Sequence, residues 1–152
     1  MKIKVNNTEV EAYKLLMRKP YAEAIANGSK TVEIRDFSDF YHKMFVDKEK
    51  EKTFNKYLEN PDGSMGIDDI VREDITYIRF TNYNQSWHLD VEIYPPHIIS
   101  PADEEDVKFV RESYGFNELD EEPAKFKNLT DEDEVPMIFA IPIARVINRE
   151  NI

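Results

Sequence analysis

The chain contains no cysteine, which excludes disulfides, thiolate metal centres and a cysteine nucleophile, and removes any use for an oxidising compartment. It has only four glycines, and none belongs to a glycine-rich loop of the kind that cradles phosphates. The three histidines, His42, His88 and His97, fall in separate segments without His-x-x-x-His spacing, so neither a metal nor another cofactor is expected. No serine sits in a nucleophile elbow. No run approaches the ~18–20 apolar residues of a membrane span, and the opening Met1-Lys2-Ile3-Lys4-Val5-Asn6 lacks the plan of a secretion signal. No membrane partner is expected, and the cytoplasm is the expected location.

What is present is an ordinary globular composition, with 41% hydrophobic and 34% charged residues over 152 positions. That length suits one domain spanning 1–152. Net charge is −11, a field that repels polyanions and disfavours tight, non-specific DNA binding. The charge is uneven. Residues 1–36 carry seven Lys/Arg against five Asp/Glu, a local +2, whereas residues 103–134 carry thirteen acids against four bases, a local −9. A small anion would meet the basic segment through nearby charges, with the distant acids screened.

Periodicity places strands at 2–5 and 9–16 around an Asn6-Asn7 turn, and a helix from Pro20 that Gly28 stops. Tyr21, Ala24 and Ile25 share one face of that helix. From Lys30 the period becomes two, with Val32 and Ile34 on one side and Thr31, Glu33 and Arg35 on the other. Ser38 or Asp39 caps a helix whose Phe37, Phe40, Met44 and Phe45 form an apolar stripe, and a second helical stretch covers 47–60. A hairpin pairs 75–83 with 86–94, its Trp87, Leu89, Val91 and Ile93 facing inward and His88, Asp90 and Glu92 outward. His97-Ile98-Ile99 resumes pairing at an edge. A helix starts around Ser100–Asp103, buries Val107, Val110 and Tyr114, and ends at Gly115. Residues 117–134 read as an acidic surface loop, and 136–148 as a strand apolar on both faces whose Pro142 requires a bulge or an edge.

Three polar side chains alternating along one strand admit two explanations from periodicity alone: a solvent-facing sheet surface, or the floor of a polar cleft. The run Tyr21-x-x-Ala24-Ile25-x-x-Gly28-x-Lys30-Thr31-Val32-Glu33-Ile34-Arg35 resembles the signature of ASCH-domain proteins, a branch of the PUA-like superfamily. The resemblance implies an α+β fold, a small PUA-like mixed or antiparallel β-barrel with flanking helices. The stretch around 38–60 then becomes a helical insertion and 117–134 an acidic loop. It implies a cleft lined by Lys30, Glu33 and Arg35, in a family thought to bind RNA or nucleotide-like ligands.

On that basis the expected function is binding of a small nucleotide-like ligand or RNA. Lys30 and Arg35 would meet a phosphate or carbonyl, Thr31 and Glu33 would complete the floor, and Glu33 would accept from a base N–H or orient Arg35. Arg18 and Lys19 read either as solvated charge at a strand–helix junction or as the cleft rim, near backbone N–H groups that favour anions. Tyr83 is the surface aromatic best placed to stack on a base, while Trp87 is in phase with core residues. An enzyme alternative also follows from the resemblance, since some small ASCH-like proteins are amidohydrolases of acylated cytidine. Lys30, Thr31 and Glu33 would then be catalytic, with Lys30 activating the Thr31 hydroxyl. Glu33 departs from that pattern, standing where those enzymes carry a threonine. A third reading makes Glu33–Arg35 a buried structural pair in a non-catalytic interaction module, with no small-molecule affinity and a large stability loss when the pair is broken.

Overall fold

A computed structural model describes residues 1–130 and 132–152. It has an α+β fold whose described residues form the strands β1 (Lys2–Val5), β2 (Thr8–Glu11), β3 (Tyr13–Leu16), β4 (Val32–Asp36), β5 (Tyr77–Thr81), β6 (His88–Ile93), β7 (His97–Ile99) and β8 (Ile138–Glu150). Between them lie α1 (Lys19–Ala26), α2 (Asp39–Phe45), α3 (Lys48–Tyr57), a 3-10 turn (Ile67–Ile70), α4 (Glu104–Tyr114) and α5 (Glu122–Lys125). No helix among the described residues is long and apolar enough to cross a membrane. The chain forms two compact units: Met1–Glu33, Glu73–Pro95 and Pro142–Ile152 make the first, Ile34–Arg72 and Pro96–Ile141 the second.

In the first unit, the expected second strand is two. Asn6 and Asn7 take left-handed backbone angles, φ 51° and 66°, which a two-residue hairpin turn requires; this pairs β1 with β2 from Lys2↔Glu11 to Val5↔Thr8. The chain then leaves the hairpin at the buried Ala12, and β3 runs parallel to β5. The expected 75–83/86–94 hairpin is present as β5 and β6, antiparallel from Tyr77↔Glu92 to Thr81↔His88. The sheet order is β3-β5-β6-β8-β4. Register slips twice between β6 and β8, at Asp90/Val91 and at Glu92/Ile93, and such irregularities bend a strand and increase its twist. The sheet is accordingly curled.

One outward face in this hairpin is not outward. Asp90 is completely buried, because the β1–β2 hairpin covers that side of the sheet: Ile3, Val5 and Ala12 pack with Val10, Tyr77 and Ile147, and Asn148 Nδ2 donates to Lys4 O at 2.9 Å. Strand alternation sees one strand at a time and cannot register a cover contributed from elsewhere.

In the second unit, Ser38 caps α2 through a 3.4 Å bond from Tyr41 N, and Asp47 caps α3. The expected α2 stripe is only partly buried. Phe45 is fully enclosed, against Phe139 at 5.3 Å between ring centroids, whereas Phe40 is 60% exposed. Residues 45–47 and 70–72 run back to back through Asp47 N to Ile70 O and Arg72 N to Phe45 O. β7 pairs with β8 from His97↔Ala140 to Ile99↔Ile138. Asp103 caps α4, which buries Val107 and Val110 and ends at Gly115 with φ 67°; Tyr114 stays partly exposed, its hydroxyl 2.8 Å from His97 Nε2. The acidic 117–134 segment contains the short helix α5 and buries Leu119; its Asp131 lies outside the described residues. β8 is buried over Phe139–Pro142 and only half-covered or exposed beyond, so the expectation of a strand enclosed along its whole length holds for its first part alone. Pro142 falls between the last residue of β8 paired with β7, Ala140, and the first paired with β6, Ile143, the kind of interruption where proline's missing N–H is tolerated.

Candidate functional site

Helix α1 of the first unit carries a cavity at each end. At its start, Arg18 is the N-cap, with extended backbone and no side-chain capping bond, and Pro20 lies in the first turn. Leu16, Met17, Arg18, Lys19 and Pro20 form one wall of a groove of about 680 Å³, and Asn82, Tyr83 and Trp87 of the β5–β6 loop form the other. Residues named separately in the sequence, Arg18, Lys19 and Tyr83, are thereby brought together. Trp87 is 5% exposed, as expected of a residue in phase with the core, and it also lines the groove.

The loop that presents Tyr83 is tightly braced. Asn82 Nδ2 donates to Asn84 Oδ1 at 2.8 Å and to Ser86 Oγ at 2.6 Å, while its Oδ1 accepts from Trp87 N at 3.4 Å. Thr81 Oγ1 donates to Trp87 O at 2.7 Å, Gln85 N bonds Asn82 O, and Asn151 reaches Ser86 O at 3.0 Å. Tyr83, at the tip, is 91% exposed.

At the other end, α1 closes through Asn27 and Gly28, whose φ of 83° is the left-handed conformation that ends a helix. Of the face expected to be apolar, Ile25 is buried with Ala22, while Tyr21 is 51% exposed. Lys30 Nζ stands over its ring, 5.8 Å from the centroid. A cavity of about 320 Å³ opens here between Ile25–Gly28, Lys30 and Thr31 on one side and Ile143–Val146 on the other.

β4 begins at Val32, after Lys30. Strand alternation therefore does not send Lys30 away from Glu33, and the two side chains meet, Nζ to Oε1 at 3.7 Å, with 11% and 10% of their surfaces exposed. A nearly buried charge pair of this kind is not the solvated sheet face that periodicity allowed. Thr31 C=O accepts from Ile143 N at 2.9 Å, which fixes its backbone to β8. Its hydroxyl is buried with no hydrogen-bond partner among the described residues. An enclosed hydroxyl left so forfeits about 1–3 kcal/mol.

Arg35 belongs to the second unit. There its Nη1 donates to the Tyr41 hydroxyl at 2.6 Å and its guanidinium lies 5.5 Å from that ring's centroid.

Sequence reasoning missed Asn82, whose side chain shapes the loop beneath Tyr83, and Arg145, which lines the Thr31 cavity and pairs with Glu92 at 3.3 Å. Neither stands in a motif. Among the described residues no group of three or more His, Asp or Glu is arranged to hold a metal ion. Set against models of protein families, curated proteins and solved structures, the chain matches none.

Proposed function

We propose that the protein binds a nucleotide-like ligand or RNA, held by Lys30, Thr31 and Glu33 at the C-terminal end of α1. One observation carries this reading: the Thr31 hydroxyl is buried without a partner beside a cavity that Lys30 also lines. Lys30 supplies a cation for a phosphate or carbonyl oxygen, Thr31 a donor and acceptor for a ring edge, and Glu33 holds Lys30 in place. The likeness of Tyr21–Arg35 to the ASCH signature supports it too; on this reading the curled sheet is a PUA-like barrel. Equilibrium binding of a panel of nucleosides, nucleotides and short RNAs tests it. Wild type binds at least one of them and Lys30→Ala binds it at least tenfold more weakly. Equally negligible binding by both proteins across the panel sinks the proposal.

The same buried hydroxyl also favours a second reading, an amidohydrolase of acylated cytidine. Lys30 would pass a proton to Glu33 and take the Thr31 proton as Oγ1 attacks the acyl carbonyl. The cytidine amine would leave with a proton, and water would then hydrolyse the Thr31 ester. Thr31→Val, which keeps the shape and removes the nucleophile, abolishes turnover on this reading. No product from acylated cytidines at high wild-type concentration dismisses that substrate class.

A further inference from the structure

We infer that the ligand is a single-stranded oligonucleotide that runs along α1, with one base stacked on Tyr83 and the strand continuing to the Lys30–Thr31 cavity. This rests on the proposed nucleotide binding and specifies its substrate class.

The two recesses belong to one unit and share one helix. The groove includes Pro20 in the first turn of α1, and the cavity includes Ala26, its last residue. Eight helical residues put the two ends about 12 Å apart at 1.5 Å per residue. That separation takes roughly two to four nucleotides, between a fully extended strand and the ~3.4 Å spacing of stacked bases.

Tyr83 is the most exposed large hydrophobic side chain among the described residues. Five side chains and several backbone groups brace the turn from Thr81 to Trp87, yet the tip residue projects a ring that is 91% exposed. A rigid loop of this kind holds an aromatic face ready for a flat partner, so little ordering entropy is lost when one docks. The chemistry around it selects the partner. Arg18 and Lys19 on the opposite wall are exposed cations, and Leu16, Met17 and Pro20, which flank them in the chain, are apolar. A flat ring linked to an anion fits that combination, and a nucleobase with its phosphate has both parts. Stacking on such a platform tolerates any base.

The test uses the full chain and fluorophore-labelled oligonucleotides of one, two, four and six residues, as RNA and as DNA. Affinity rises from one to four residues and then levels off. Tyr83→Ala weakens the tetranucleotide by about 5- to 150-fold, the loss of one base stack, and removes most of its advantage over the mononucleotide; Tyr83→Phe keeps it. Circular dichroism confirms that the Tyr83 variants are folded, as expected for a side chain in water. A mononucleotide that binds as tightly as the tetramer, with the Lys30 dependence intact, overturns the inference and leaves the proposed nucleotide binding standing. No binding at any length overturns both. Hexa-aspartate binding as tightly as the tetranucleotide also overturns it, since the groove would then read charge without a base.

Discussion

At the scale of single residues, the most consequential side chain outside the site is Asp90. It is completely buried, and it is tolerated because Arg79 Nε and Nη2 grip both its oxygens at 2.6 and 2.9 Å while Asn148 donates at 3.0 Å. The three residues form one row across β5, β6 and β8. The carboxylate raises the Arg79 pKa above its ordinary value. Removing the cation leaves an uncompensated buried charge, so Arg79→Ala loses roughly 3–5 kcal/mol of stability by urea unfolding, and adding Asp90→Asn to it returns part of that loss. Asp106 behaves in the opposite sense. Burial, against a bond from Ser100 N and reinforced by the charges of Asp103 and Asp68, lifts its pKa above 3.8. The folded protein therefore holds that proton more tightly than the unfolded chain does. Its favourable contribution is complete below the ordinary carboxylate value and is lost as pH rises through the raised one. Asp106→Asn, which still accepts from Ser100 N, stabilises the protein modestly at pH 7, and the gain shrinks toward zero as pH falls below 4 in a series of thermal melts.

At the scale of elements, α1 organises the first unit's recesses, and both its ends are legible in the sequence. Pro20 marks the first turn and Gly28 the stop, each for a local steric reason that operates wherever the chain lies. A methyl group placed on Gly28 meets nothing within 4 Å, so Gly28→Ala costs only the left-handed backbone penalty, roughly 1–2 kcal/mol, read as a lowered melting temperature. Orientation is less legible than extent. Helical periodicity puts Tyr21 on the inward face, yet it lies over Lys30 instead. The same periodicity puts Phe40 in a stripe with Phe45, but it is largely exposed, because only the part of α2 near Phe139 has an apolar surface to meet. The division of 9–16 into β2 and β3 has no mark in the sequence either. Both pieces look like one alternating run, and only the choice of different partners separates them.

At the scale of the whole molecule, net charge −11 sets how any nucleic acid is met. Long-range repulsion works against a polyanion, and the recesses at the ends of α1 set only a few cations, Arg18, Lys19 and Lys30, against it. Oligonucleotide binding through Arg18, Lys19 and Lys30 therefore shows a shallow salt dependence, with a log–log slope of roughly −0.7 to −2.1 for one to three phosphate contacts on a single strand. A slope several times steeper, measured by titration at increasing potassium chloride, would point to a broader basic surface than these residues supply.

The sequence by itself determined the helices and hairpins whose ends are marked by Pro20, Ser38, Gly28, Gly115 and the Asn6-Asn7 pair, because capping, proline geometry and positive φ act within a few residues of chain. It also determined the absence of thiol chemistry and the sign of the long-range field, which need composition alone. Tertiary structure decided what each polar side chain meets: Tyr83 beside Arg18, Thr31 beside Ile143, and Asp90 sealed under the first hairpin. Those outcomes depend on what packs over a face from a distant part of the chain, and no periodicity within a strand or helix encodes its cover.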